Sequence, residues 1–379
     1  MTTPRIFIWS QHLLGTGHLV RSLRIAGAIA ARGMRVSLAS GGPHLPAEAP
    51  DGVDLHQLAE LRTADTGFSG LIDRAGDPAD EGVWKERLRQ METILSEHPA
   101  DILITEMFPF GRRAFRGEIR SLIDLAREAN PAVRMISSVR DILVSKETPE
   151  HYRWSIDWID EFYSKVLVHG DPALIAFAES FPFAREIGDR LVHTGYIADI
   201  PPPLPADMRE GVVVSAGGGA VGRGLLEAVM DLLCHAPPGH GPWTLIGGSR
   251  MDRAVLEQWR DLAPVGVIIE GHVSDLPRRI ARARLAISQA GYNTVAETLA
   301  LGTPVLLVPF ETQSEDEQLR RARAVERAGR GVVLREGTLN RMTLADALER
   351  TLGLASIPPA LDVDGAVRTA RLIGDLALR

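Results

Sequence analysis

Val212-Val213-Val214-Ser215-Ala216-Gly217-Gly218-Gly219-Ala220-Val221-Gly222 is the stretch that decides the fold. A short β-branched run passes at once into a glycine-rich turn and then into residues of helical period over 222–233. A buried parallel strand enters its crossover helix in this way. The same alternation recurs on either side. Short apolar runs ending in small or polar residues predict strands over 5–9, 35–39, 102–105, 134–138 and 166–169, and again over 212–215, 243–246, 267–270, 285–288, 305–308 and 332–334. Helical period predicts helices over 18–32, 81–97, 113–128, 172–179, 222–233, 253–262, 293–301 and 316–328. The class is therefore α/β, with parallel sheets covered by helices on both faces.

Between the halves runs Ile200-Pro201-Pro202-Pro203-Leu204-Pro205, stiff and extended by composition. It predicts an N-terminal domain over 1–199, a second domain over 206–360 and a closing segment over 361–379. Two α/β domains of similar size on a short linker are expected to leave a ligand-binding cleft.

Composition narrows the function classes. The 379 residues carry 42 basic and 49 acidic side chains, a net charge of −7, and only three lysines, Lys85, Lys146 and Lys165. An acidic chain without a basic stripe is not a general nucleic-acid binder. The single cysteine, Cys234, excludes a disulfide framework and a cysteine-rich zinc module, and a buried, inert thiol is expected of it. The opening MTTPRIFIWS has neither a basic n-region nor a long apolar h-region, and the apolar runs are too short to span a bilayer. These features predict a cytoplasmic protein, compatible with peripheral attachment to a membrane.

Chemistry concentrates at predicted strand ends. Gly217, Gly218 and Gly219 lie where a strand-to-helix turn leaves backbone amides open to an anion, and Gly217, Gly219 and Gly222 fit G-x-G-x-x-G. The next strand ends in Ile246-Gly247-Gly248-Ser249 without the acidic residue that a dinucleotide ribose requires, which argues against a nicotinamide site. Tight packing is the competing role for these glycines. A second strand-to-helix turn, Ser288-Gln289-Ala290-Gly291-Tyr292-Asn293-Thr294, offers hydroxyl, amide and free N–H groups, with Glu297 one helical turn beyond Asn293. Taken alone, Glu297 reads as a solvated helix charge. The polar run Phe310-Glu311-Thr312-Gln313-Ser314-Glu315-Asp316-Glu317-Gln318 follows another strand. Glu317 and Gln318 suit sugar hydroxyls, or simply an acidic first helical turn.

Together, the triple glycine, the Gly271-His272-Val273 turn, Ser-x-Ala-Gly-x-x-Thr-x-x-Glu from Ser288 to Glu297, Gly302-Thr303-Pro304 and Pro309-Phe310 resemble the donor-binding domain of MurG-type glycosyltransferases, the family 28 enzymes of the GT-B fold. The first half adds Gly15-Thr16-Gly17-His18-Leu19-Val20-Arg21 at the place of that family's N-terminal glycine loop. Thr105-Glu106, Phe108-Pro109-Phe110-Gly111-Arg112-Arg113, Ser138-Val139-Arg140-Asp141 and Val168-His169-Gly170-Asp171 are similar to a bacterial subgroup of predicted glycosyltransferases.

The resemblance implies two Rossmann-like doubly wound domains facing across a cleft, with the last helix packing back on the first domain. It implies a metal-independent inverting glycosyltransferase without a cofactor, whose partners are a nucleotide sugar, by family habit a UDP-sugar, and an acceptor. Gly217 to Gly219, Ser288, Ala290, Gly291, Asn293 and Thr294 would hold the donor diphosphate. His272 and Val273 would face the base, Glu297 the ribose, and Phe310, Glu317 and Gln318 the donor sugar. This chain has Glu-Gln where MurG has Gln-Gln. His18 or Glu106 would be the catalytic base, and Gly15, Gly17, Arg21, Arg140 and Asp141 would line the acceptor side. Arg140 and Asp141 are equally readable as a structural ion pair. The triplet Asp362-Val363-Asp364 is expected to cap the last helix rather than bind metal. Two alternatives stand beside the transferase. One is a nucleotide-sugar hydrolase of the pseudaminic acid pathway type, which shares Gly-x-Gly-His-x-x-Arg; the other is a non-catalytic nucleotide-sugar binding protein.

Overall fold

The computed structural model describes residues 3–13, 17–44, 48–64, 70–144, 148–217, 222–236, 239–248, 251–312, 316–354 and 361–378. Gly15, Gly218 and Gly219 lie outside the described residues. The chain divides into two compact units: residues 1–171, 177–197 and 364–379 form the first, and 172–176 with 198–363 form the second.

In the first unit, β1 (Arg5–Ser10), β2 (Arg35–Ser40) and β3 (Val53–Gln57) are followed by a small antiparallel pair, β4 (Arg62–Thr63) and β5 (Leu71–Ile72). The unit continues with β6 (Ile102–Glu106), β7 (Arg134–Arg140), β8 (Tyr163–His169) and β9 (Leu191–His193). Seven strands make one parallel sheet in the order β3-β2-β1-β6-β7-β8-β9. Its helices are α1 (Gly17–Ala30), α2 (Glu81–Glu97), α3 (Arg116–Ala129), α4 (Pro149–Phe162) and the short α5 (Ala184–Ile187).

The second unit carries β10 (Val212–Ser215), β11 (Trp243–Ile246), β12 (Val267–Glu270), β13 (Leu285–Ser288), β14 (Val305–Leu307) and β15 (Gly331–Val333), parallel throughout in the order β12-β11-β10-β13-β14-β15. Its helices are α6 (Arg223–His235), α7 (Arg253–Leu262), α8 (Leu276–Arg282), α9 (Tyr292–Leu301), α10 (Glu317–Arg327) and α11 (Arg341–Leu352). The last helix, α12 (Gly365–Ala377), belongs to the first unit and packs along α1, burying Ala370 and Ile373. Asp364 occupies its N-cap position without a side-chain capping bond.

Alternation along the strands fills both faces of each sheet. Phe7 and Trp9 join one core while Ile6 and Ile8 join the other, and Val212 and Val214 are separated from Val213 in the same way. Strands covered on both sides read as continuous apolar runs, so the sequence pattern and the fold agree. Each sheet reverses its strand order once, between β1 and β6 and between β10 and β13. Parallel sheets bind ligands beyond the carboxyl ends of their strands at such reversals.

Two expectations are corrected, and several elements are added. No α-helix forms over 172–179, where turns precede a 3₁₀ turn at Phe177–Glu179. Leu174 packs into the second unit's core and Phe177 into the first unit's, and one amphipathic face cannot serve both. The thiol of Cys234 is exposed rather than buried. Strands β3 and β9 and helices α4, α8 and α11 were not foreseen.

Candidate functional site

In the first unit, β1 ends at Ser10 and, past the intervening turn, α1 begins at Gly17, so His18 stands in the first helical turn with Arg21 three residues on, over the same face. Glu106 is the last residue of β6, the strand that pairs with β1 across the order reversal. His18 Nδ1 donates to Glu106 Oε1 at 2.8 Å, and the Arg21 guanidinium donates to the same oxygen. Glu106 and Arg21 are buried, and His18 is 15% exposed. Burial alone would push the Glu106 carboxyl up, but His18, Arg21 and Arg112 outweigh it and hold the group well below the usual carboxylate range. Burial pushes the His18 imidazolium down to about 3 against the opposing pull of Glu106. The ring is therefore neutral near pH 7, and its bond to an ionised carboxylate puts the proton on Nδ1. Nε2 is left as the acceptor, with no hydrogen-bond partner among the described residues.

The surrounding fold fixes this pair. Met107, directly after Glu106, has φ 64°, a conformation costly for a non-glycine residue, and its N–H donates to Ser138 O at 2.8 Å. The β7 partner of Glu106 is Ser138, whose Oγ lies 2.8 Å from His169 Nε2, while His169 Nδ1 lies 2.8 Å from Thr194 Oγ1. Burial pushes His169 down to about 3.

On the other side, Arg87 is fully buried under the loops after β1 and β2. Its guanidinium donates to Glu118, to Gln11 Oε1 at 2.9 Å, and to the carbonyls of Gly41 and Ala59 at 3.1 and 2.7 Å. Trp9 Nε1 donates to Glu118 Oε1 at 2.7 Å. A buried charge tied on every side anchors the backbone around it. Asp141 is also buried, accepting from Tyr196 Oη at 2.8 Å and from the Ile142 N–H at 2.9 Å.

The second unit presents a different surface at its reversal. Gly217 follows β10 with φ +71°, the left-handed region suited to glycine, and its N–H reaches Ser215 Oγ at 3.3 Å. A Cβ on Gly222 would fall 2.3 Å from Ala216 Cβ, so this glycine does serve close packing of α6 against the strand end. Across the reversal, β13 ends at Ser288 and α9 begins after Gly291, with no side-chain cap. The amides of the first turn of α9 thus point outward beside two buried polar atoms without hydrogen-bond partners, Ser288 Oγ and Asn293 Oδ1. Buried polar atoms are nearly always satisfied, which sets this orphaned pair at a helix N-terminus apart.

Other residues singled out in the sequence have structural duties. Gln318 Oε1 accepts from the N–H groups of Ala290 and Phe310, both at 3.1 Å, and joins the loops after β13 and β14. Arg321, fully buried, donates to Ala290 O at 2.9 Å and to Glu317 Oε1 at 2.7 Å. Ala290 therefore has neither a free N–H nor a free carbonyl to offer a diphosphate, and Glu317 is a buried ion-pair partner. Glu297 is buried, not a solvated helix charge. His272 is exposed and Val273 packs partly against the core. The structure adds Arg112, whose position beside Glu106 no sequence pattern revealed.

Residues 246–353 match the glycosyltransferase family 28 C-terminal domain. A UDP-N-acetylglucosamine–N-acetylmuramyl-(pentapeptide) pyrophosphoryl-undecaprenol N-acetylglucosamine transferase of Anaplasma marginale is 39% identical over 85 residues, 22% of this chain and 24% of that protein. The protein of the same name from Syntrophotalea carbinolica is 29% identical over 179 residues, 44% of this chain and 48% of that protein. The chain thus spans about a quarter to a half of the length of these curated relatives. The solved structure of Acinetobacter baumannii MurG superposes over 98% of this chain and 100% of its own, with a TM-score of 0.61 at 14% identity. The architecture is the GT-B fold, and residues 246–353 are similar to the family 28 C-terminal domain, in line with the motifs of that half.

Proposed function

We propose that the protein is a metal-independent, inverting glycosyltransferase that moves a sugar from a nucleotide diphosphate donor, a UDP-sugar, to an acceptor hydroxyl. The observation that carries this reading is the His18–Glu106 pair: a neutral imidazole with Nε2 unengaged, oriented by a buried carboxylate at a sheet reversal. His18 Nε2 takes the proton of the acceptor hydroxyl as its oxygen bonds to the anomeric carbon. The bond from that carbon to the diphosphate breaks, and its electron pair leaves on the diphosphate. Glu106 stays ionised and stabilises the imidazolium that forms, as a positioning residue rather than the base. The first-turn amides of α9, with Ser288 and Asn293, receive the departing charge, and such preorganised donors are worth about 3 kcal/mol each where water is excluded.

UDP as the nucleotide is supported by the names of the curated relatives. Gln318 retains its Nε2 for a sugar hydroxyl, whereas Glu317 acts through Arg321. No helix among the described residues is long and apolar enough to cross a membrane, and none of them form a His, Cys, Asp or Glu cluster fit for a metal ion. The test is incubation with a panel of UDP-sugars, with and without alcohol acceptors. Sugar transfer that needs the acceptor is expected. Stoichiometric free sugar without acceptor would establish the hydrolase instead, and UDP binding without any turnover would establish the binding protein.

A further inference from the structure

Arg112 stands six residues beyond Glu106 with φ 61°, left-handed backbone that a non-glycine residue adopts at a cost of about 1 kcal/mol or more. Its Nε donates to the Gln11 carbonyl at 2.7 Å. That carbonyl is itself immobile, because the fully buried Gln11 side chain donates to Leu61 O at 2.8 Å and accepts from Arg87 at 2.9 Å. The guanidinium is thus held by one edge. Among the described residues neither Nη1 nor Nη2 has a hydrogen-bond partner. The Glu106 oxygen used by His18 and Arg21 is not shared with it. The charges that act on Arg112 are Glu106 on one side and Arg21 and Arg140 on the other, two repulsions against one attraction. Burial, with those repulsions, pushes its pKa down to about 10, still charged at neutral pH.

A pinned, half-buried guanidinium with both Nη groups open has the fork geometry that recognises a carboxylate or phosphate through two parallel hydrogen bonds. Neutralising Glu106 does not require it, since Arg21 already does so. We propose that Arg112 binds an oxyanion, carboxylate or phosphate, carried by the acceptor beside its reacting hydroxyl. The inference rests on the glycosyltransferase reading and gives the acceptor a chemical class: an anionic alcohol. Arg112 is a specificity residue here.

The direct test needs no donor. In protein labelled with ¹⁵N-arginine, the Arg112 Nε–Hε resonance is assigned by its loss in Arg112→Lys and followed while inorganic phosphate or acetate is added in separate arms. A saturable shift below about 50 mM in either arm is expected of one bidentate contact, and the stronger arm identifies the anion. An unmoved resonance in both arms overturns the proposal. The kinetic arm compares glycerol 3-phosphate and glycerate with glycerol as acceptors of a UDP-sugar. Arg112→Gln should raise KM for the charged acceptor about tenfold or more, with kcat within about threefold and UDP affinity by calorimetry unchanged, and Arg112→Lys should recover part of the loss. Equal KM for charged and neutral alcohols overturns the proposal while UDP binding leaves the transferase reading standing. Loss of UDP binding in the unaltered protein would sink that reading instead.

Discussion

The two sheets reverse their strand order in the same way but equip the reversal with opposite chemistry. In the first unit the ends of β1 and β6 gather charge: the buried Glu106 and Arg21, the half-buried Arg112, and beside them the neutral His18. In the second unit the ends of β10 and β13 carry neutral groups: a helix start without a side-chain cap, and Ser288 and Asn293, whose Oγ and Oδ1 are buried without partners. Net charge is costly to bury and is kept where a proton must be moved or an anion read. Neutral, outward donors are what a departing diphosphate needs, since they gain from its arrival without a counter-charge to desolvate. The difference separates the proton-handling side of the proposed reaction from its anion-receiving side.

The largest effect expected is at the charged side. His18→Ala should lower kcat by about 10²–10⁴ while leaving UDP affinity within about twofold, because general-base catalysis carries that range and the anion side is untouched. A parallel loss of UDP affinity would mean that the two sides are not separable.

Next come the arginines that anchor each side. Arg87 and Arg321 are both fully buried, one beneath the loops after β1 and β2, the other holding the Ala290 carbonyl and Glu317. Removing one partner from such a pair leaves an unpaired buried charge and costs about 3–5 kcal/mol. Arg87→Met and Arg321→Met should each lower the unfolding transition of their own unit in calorimetry. Equal shifts of both units from either change would show that the two do not unfold as separate bodies.

How legible was this division in the sequence? Buried strands such as Val212–Ser215 and Leu285–Ser288 were plain, because burial on both faces forces an apolar run. Edge strands were not: β3 reads Val53-Asp54-Leu55-His56-Gln57, too polar to announce itself, and β9 has three residues. Positions next to strand ends were legible, His18, Ser288 and Asn293 through the glycine turns beside them and Glu106 as the end of an apolar run. What each atom does there was not. Gln318 and Glu317 read as sugar ligands or an acidic first helical turn; that Gln318 Oε1 also holds the Ala290 N–H and that Glu317 is tied to Arg321 are tertiary facts. Arg112 was one arginine among many until its Nε was seen on Gln11 and its other nitrogens open.

Acid should act on the charged side first. His18 and His169 are held near 3 in the folded chain against about 6.5 unfolded, so below pH 6.5 the unfolded state binds more protons and stability falls with pH. His56 and His193, also held low by burial, add the same sign. Glu106 is held low as well, so its contribution is lost only as pH falls below the ordinary glutamate range, leaving the interval from 6.5 to 5 to the histidines. Urea unfolding at pH 7 and pH 5 should show a loss of about 2 kcal/mol for each of His18 and His169. A flat profile there would mean that these rings are charged in the folded protein.

The smallest effect is the one most specific to the neutral side. Ser288 Oγ is buried and unsatisfied, so its removal takes away a polar group that the fold by itself does not use. Ser288→Ala should leave the unliganded protein as stable or slightly more stable, by at most about 1 kcal/mol, because no hydrogen bond is broken. The same change should weaken UDP binding about tenfold, the worth of one hydrogen bond to a charged oxygen. Thermal unfolding with and without UDP reads both signs in one experiment: the melting point of the free protein holds or rises while the gain given by UDP shrinks. If Ser288→Ala instead destabilises the free protein and spares UDP binding, the hydroxyl is a structural group, and the anion-receiving role passes to the α9 amides and Asn293 alone.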